Sequence, residues 1–176
     1  MNLRLKRTPG IYLTGFMGAG KSTIGRHLAH RVGWSFFDTD EEIEAAEKTT
    51  ISQIFTTRGE EEFRRIETII IQQHVRAIER GRAAVLALGG GAYARQGNRD
   101  LLRNNGITVW LDCPFEIVER RVAQATYRPL ARDPAAFAAL YKARREFYGL
   151  ADARVPIESD DPDVVVDLIL AHPLFR

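Results

Sequence analysis

The chain is poor in cysteine: Cys113 stands alone among 176 residues, so no internal disulfide can close and no cysteine-rich metal site can form, which fits a reducing compartment. Net charge is equally scarce. Against 25 lysines and arginines stand 23 aspartates and glutamates, and the balance of +2 gives no electrostatic ground for a nucleic-acid partner. Long apolar runs are missing too, since no stretch approaches the roughly 18 residues that would cross a bilayer. The basic start MNLRLKRTPG leads into IYLT and glycines rather than the unbroken apolar core of a signal peptide. No internal repeat, low-complexity tract or Pro/Gly/Ser-rich linker divides the chain. These absences lead us to expect a cytoplasmic protein without a membrane or nucleic-acid partner, organised as one domain over residues 1–176.

What is present is ordinary globular composition, 45% hydrophobic and 27% charged. Short apolar runs at Ile11–Thr14, Trp34–Phe37, Ala84–Leu88, Ile107–Leu111 and Arg154–Ile157 read as strands. Between and after them, helical periodicity covers Lys21–Val32, Asp40–Glu47, Glu60–Arg80, Asp100–Asn104, Pro114–Ala123, Pro134–Phe147 and Asp163–Ala171. In the third of these helices Phe63, Ile66, Ile70 and His74 share one face. Strands alternating with helices predict an α/β fold whose parallel sheet is covered on both sides, with ligands at the carboxyl ends of its strands.

The first strand runs into GFMGAGKST, where Gly15, Gly20, Lys21 and Ser22 match G-x-x-x-x-G-K-[ST] between a strand and a helix. Glycines let the backbone turn its N–H groups onto phosphate oxygens, and the helix N-terminus adds partial positive charge. Lys21 is placed to reach the β and γ phosphates, and the Ser22 hydroxyl to ligate Mg²⁺. The loop predicts a nucleotide, but not what is done with it. The sequence contains neither DxxG nor [NT]KxD, so a GTPase switch is disfavoured, and its length leaves little room for a motor's accessory domains. A small-molecule kinase remains.

The second strand ends in FFDTDEE, where Asp38 and Asp40 would share a face if the segment stays extended. One could hold Mg²⁺ through water and the other receive the proton of an attacking hydroxyl; either could instead cap the next helix, Asp40 could do both jobs, and residue types do not decide. After the third strand, Gly89, Gly90 and Gly91 remove every side chain where backbone could approach a ligand. That strand carries no aspartate, which leaves Asp38 as the obvious acidic partner of the cation.

GFMGAGKST, DTD, FRRIE, GGGA, YRPL and RREFY follow one another in an order and at a spacing that resembles the shikimate kinase family, from about Gly10 to about Ile169. The resemblance implies a three-layer P-loop kinase fold, with a five-stranded parallel sheet flanked by helices, a shikimate-binding region at about 38–80 and a mobile lid at about 122–134. It implies ATP and Mg²⁺, a monomer, and transfer of the γ-phosphoryl to the 3-hydroxyl of shikimate in chorismate and aromatic amino-acid synthesis. By resemblance, Gly18, Ala19, Gly20, Lys21, Ser22 and Thr23 wrap the phosphates, and Ser22 and Asp38 serve the metal. Asp40 binds shikimate hydroxyls and acts as base, Arg64 and Arg144 grip the carboxylate, and Gly89, Gly90 and Gly91 line the same pocket. Arg121 packs near adenine, and Arg128 closes with the lid onto the phosphates as the third catalytic group beside Lys21 and Asp40.

Without the resemblance, Arg64 and Arg65 are equivalent, since each has a glutamate four residues earlier, Glu60 and Glu61. The lid departs from the usual RPLL at Ala131, and the late loop ESDDPD offers no obvious adenine contact. His27 and His30 lack a third metal ligand, Cys113 reads as a packing residue, and Trp34 and Trp110 as core. A kinase of gluconate or nucleoside monophosphates would need a different acceptor pocket from paired arginines with GGG. A non-catalytic shikimate kinase-like binding protein would have lost one of Lys21, Asp38, Asp40 and Arg128, all of which are present.

Overall fold

The computed structural model describes residues 10–124 and 133–175. The central strands are continuous apolar runs, and they are buried along their whole length: β1 (Gly10–Thr14), β3 (Ala84–Ala87) and β4 (Ile107–Asp112). The outer strands, β2 (Ser35–Asp38) and β5 (Ala153–Pro156), are partly exposed, as edges must be. All pairings are parallel, in the order β2-β3-β1-β4-β5. Burying each Ile, Leu or Val of these strands contributes about 1.5–3 kcal/mol, so the sheet is the main source of cohesion.

Seven α-helices flank the sheet among the described residues: α1 (Lys21–Val32), α2 (Thr39–Glu47), α3 (Ile51–Glu79), α4 (Gln96–Arg103), α5 (Phe115–Gln124), α6 (Pro134–Tyr148) and α7 (Pro162–Ala171). α1 lies close on β2, since a Cβ on Gly25 would stand 2.4 Å from the Phe36 ring. It is fastened to α7 by Arg31 on Asp167 at 2.8 Å and His27 on Asp163 at 3.1 Å.

α3 is longer than its apolar spacing predicts, beginning at Ile51 rather than Glu60 and broken at Gly59 (φ 84°, ψ 171°). A Thr50–Gln53 capping box starts it. The added turns bring Ile54 beside Ile43, Phe63, Ile66 and Ile70, a small core separate from that of the sheet. α4 likewise extends back from the expected Asp100 to Gln96.

The order of strands decides where a ligand goes. From β1 the chain crosses beyond β3 to β2, returns to β3, then passes over β1 to β4, so connections leave β1 and β3 in opposite directions. A crevice opens at that reversal, outside the carboxyl ends of the two strands. The loops there are Gly15–Gly20 and Gly89–Gly91.

Candidate active site

The loop after β1 takes backbone shapes that side chains resist: Gly15, Gly18 and Gly20 have φ of 145°, 81° and 92°, and left-handed Gly20 caps α1. Lys21 folds back over the loop and donates to the carbonyls of Gly15 at 2.8 Å and Phe16 at 3.0 Å. Ala19 is buried beneath the loop, and Thr23 is exposed at the start of the helix.

Asp38 and Asp40 do not share an extended segment. β2 stops at Asp38, whose Oδ1 accepts the backbone N–H of Asp40 at 2.9 Å and of Glu41 at 3.3 Å and so caps α2; Asp40 is already helical and caps nothing. The other oxygen, Oδ2, accepts the Ser22 hydroxyl. The sequence allowed Asp40 to combine chemistry with capping; the structure gives the cap to Asp38, whose second oxygen stays on Ser22. Ser22 and Asp38 place two hard oxygens side by side, while no group of three or more His, Cys, Asp or Glu among the described residues could hold a metal. That donor set fits Mg²⁺, which takes one or two protein oxygens and completes its shell with water and substrate phosphate.

Asp40 turns instead toward Gly89. An added Cβ on Gly89 would be 2.8 Å from both Asp40 Oδ1 and Glu67 Oε1, so the two carboxyls converge on bare backbone. Burial first, then the charge of Asp38, pushes the Asp40 carboxyl up to about 6; Glu67 adds to the rise, while Lys21 and Arg64 oppose it. Glu67 is fully buried, accepts Arg64 Nη1 at 2.8 Å through Oε2, and has no partner for Oε1 among the described residues. Burial raises its carboxyl too, against Arg64. Sequence reasoning overlooked Glu67, although a charge four residues after Phe63 on an apolar stripe was a visible anomaly.

The arginines separate sharply. Arg64 is 11% exposed and fills the space above Gly91, its Nη2 2.4 Å from where a Cβ would stand. Arg65 is 62% exposed and pairs with Glu62 rather than the expected Glu61. Arg144 faces Gly90 across 3.5 Å from the corresponding Cβ position. The glycine loop itself is pinned: Thr39 accepts the Gly89 N–H at 2.9 Å, and the Tyr148 hydroxyl donates to the Gly90 carbonyl at 2.6 Å. Neither of these supports was evident from sequence.

A cleft of about 520 Å³ runs from Ser22, Asp38 and Asp40 along the phosphate loop to Ile157 and Pro162. Arg121 crosses it, donating to the Gly18 carbonyl at 2.9 Å and to Asp160 at 2.6 Å. The loop ESDDPD thus sends Asp160 onto Arg121. Of the expected lid, residues up to Gln124 belong to α5, Asp133 caps α6 and Pro134 begins it. Arg128 lies outside the described residues.

No described helix is long and apolar enough to cross a membrane. A family model described as shikimate kinase matches residues 17–172. Shikimate kinase of Rhodopseudomonas palustris is 40% identical over 164 residues, 92% of this chain and 79% of its own. That of Parasynechococcus marenigrum is 42% identical over 175 residues, 96% and 89%. The solved shikimate kinase of Acinetobacter baumannii in complex with shikimate superposes with a TM-score of 0.82 at 35% identity, covering 97% of this chain and 96% of that one. A gluconokinase from Sinorhizobium meliloti, at 19% identity and TM-score 0.54, shares the fold alone. On fold, matched length and identity together, the chain belongs to the shikimate kinase family.

Proposed function

We propose that the protein transfers the γ-phosphoryl of ATP to the 3-hydroxyl of shikimate, as one kinase domain, with the acceptor held by the region from Asp38 to about residue 80. The observation that carries this reading is the convergence of Asp40, Arg64 and Arg144 on Gly89–Gly91, at the end of the phosphate loop. A cyclic polyol carboxylate needs such a pocket: guanidiniums for the carboxylate, a carboxyl group for the hydroxyls, and bare backbone for the ring.

Phosphoryl transfer asks little covalent work of a protein, and positioning with charge compensation does most of it. Lys21 and the N–H groups of Gly18–Thr23 hold the phosphates, and Arg121 with the Asp160 loop lines the base end of the cleft. Asp40 orients the attacking hydroxyl and takes its proton, a task suited to a carboxyl raised toward neutrality. Ser22 and Asp38 would hold Mg²⁺, which supplies charge neutralisation on the phosphates when bound. Arg128 is assigned to the transferred group from its place in YRPL. A monomer located in the cytoplasm completes the reading.

The test is ADP release from MgATP with shikimate, gluconate and nucleoside monophosphates offered separately. Release that depends on shikimate alone is the expected result; stimulation by another acceptor would overturn the assignment, and none by any acceptor would favour a binding protein.

A further inference from the structure

Two neighbouring arginines of α6 have opposite surroundings. Arg144 faces the acceptor pocket at Gly90. Arg145 turns onto the carboxyl end of β4, where Nη1 donates to Asp112 Oδ1 and Nη2 reaches Oδ2 at 3.3 Å. Its Nη1 also donates to the Tyr141 hydroxyl at 2.9 Å, and its guanidinium lies 4.9 Å from the Trp110 ring centre. Asp112 is only 7% exposed, and it is held a second time by Arg154 Nε at 2.8 Å. A carboxylate this buried needs at least one charged donor on it, and losing both strands the charge.

The Asp112 contact belongs to a row. Tyr141 donates to the Cys113 carbonyl at 2.8 Å, Arg145 binds Asp112, and Tyr148 donates to the Gly90 carbonyl at 2.6 Å. Spaced four and three residues apart, these tethers lie on one face of α6. A helix held at successive turns along one face cannot roll about its axis, and Arg144, about 100° round from Arg145, is thereby aimed.

We propose that Asp112 is a positioning residue for the phosphoryl transfer: through its ion pair with Arg145 it fixes the rotation of α6 and directs the Arg144 guanidinium at the acceptor's carboxylate. This rests on the assignment of the glycine-lined pocket to shikimate. A two-pronged clamp is sensitive to angle, so a small roll of the helix weakens acceptor binding before it touches the nucleotide.

Steady-state kinetics of Asp112→Asn, Arg145→Met and the double variant test it, with Arg154→Met as control and wild type alongside. Asp112→Asn and Arg145→Met should each raise the shikimate KM about five- to twentyfold, with the ATP KM held within about twofold. The double variant should be no worse than the weaker single, because both changes break one tether. Arg154→Met leaves α6 tethered and should stay within about twofold of wild type, and Arg145→Lys should recover part of the loss. An unchanged shikimate KM in folded Arg145→Met overturns the proposal whatever happens to thermal stability, and so does an equal rise in both KM values. Should Asp112→Asn fail to fold, the Arg145 variants decide alone, since that side chain is 34% exposed. Wild type lacking shikimate-dependent ADP release would instead overturn the acceptor assignment, so the two failures are distinguishable.

Discussion

Asp40 sits where its charge is poorly solvated, between Asp38 and Glu67, and the native state raises its carboxyl from the usual 3.8 to about 6. A group raised on folding contributes stability that is fully present below the unfolded value and is lost as pH rises through the folded one, here between about 4 and 6. Above pH 6 the ionised carboxylate costs about 3 kcal/mol relative to a neutral group. Asp40→Asn should therefore abolish turnover while raising the melting temperature of the metal- and nucleotide-free protein at pH 8, and the gain should vanish near pH 4. A variant no more stable at pH 8 would refute the raised carboxyl. At Arg64, replacement by Lys keeps charge but loses the fork, and should chiefly raise the shikimate KM. Gly91→Ala should do the same, because the new methyl would meet Arg64 at 2.4 Å and displace it. Unaltered KM values for both would remove this guanidinium from acceptor binding. The sequence could not separate Arg64 from Arg65, since helical ion-pair spacing suits both; packing did, by turning one onto buried Glu67 and leaving the other in water.

Among the elements, α3 departs most from its sequence pattern. Its second half was legible from Phe63, Ile66 and Ile70, whose buried stripe has the helical period. The first half was not, because Ile51 and Ile54 are too few to declare a face and Gly59 reads as a stop. The glycine is instead a bend between two helical segments, at φ 84° and ψ 171°, with no atom within 4 Å of its absent Cβ. Gly59→Ala should thus destabilise through backbone strain alone, by about 1–3 kcal/mol, with the ATP KM unchanged. A chemical denaturation curve checks this, and an unshifted midpoint would mean that the bend is not enforced. The N-terminus of α2 teaches a related lesson: DTD was readable as chemistry, but whether Asp38 or Asp40 ended the strand depended on where the β2–β3 register stopped, at Asp38 opposite Ala87.

For the molecule as a whole, nucleotide binding must be linked to folding, since the phosphate loop exists only when β1 and α1 are in place. MgATP at about a hundredfold over its Kd should stabilise the protein by about 2.7 kcal/mol, a rise in Tm of roughly 5–10 °C for a chain of this size. Lys21→Met should lose most of that rise while melting near wild type without ligand. An equal shift in both proteins would show that the nucleotide is held elsewhere.

What the sequence determined by itself was whatever depends on neighbours along the chain: the strand–loop–helix of GFMGAGKST, the alternation that makes a parallel sheet, and the glycines that keep Gly89–Gly91 bare. Periodicity and turn chemistry are local, so they survive in one dimension. What only the tertiary structure decided was the set of partners across the fold: Glu67 behind Arg64, Thr39 on Gly89, Asp160 on Arg121, and Asp112 between Arg145 and Arg154. Apart from Glu67 and Arg64, these partners stand 33 to 50 residues apart. Their pairing follows from the strand order and from burial that leaves a charge no solvent to turn to, and neither is written in any single stretch of the chain.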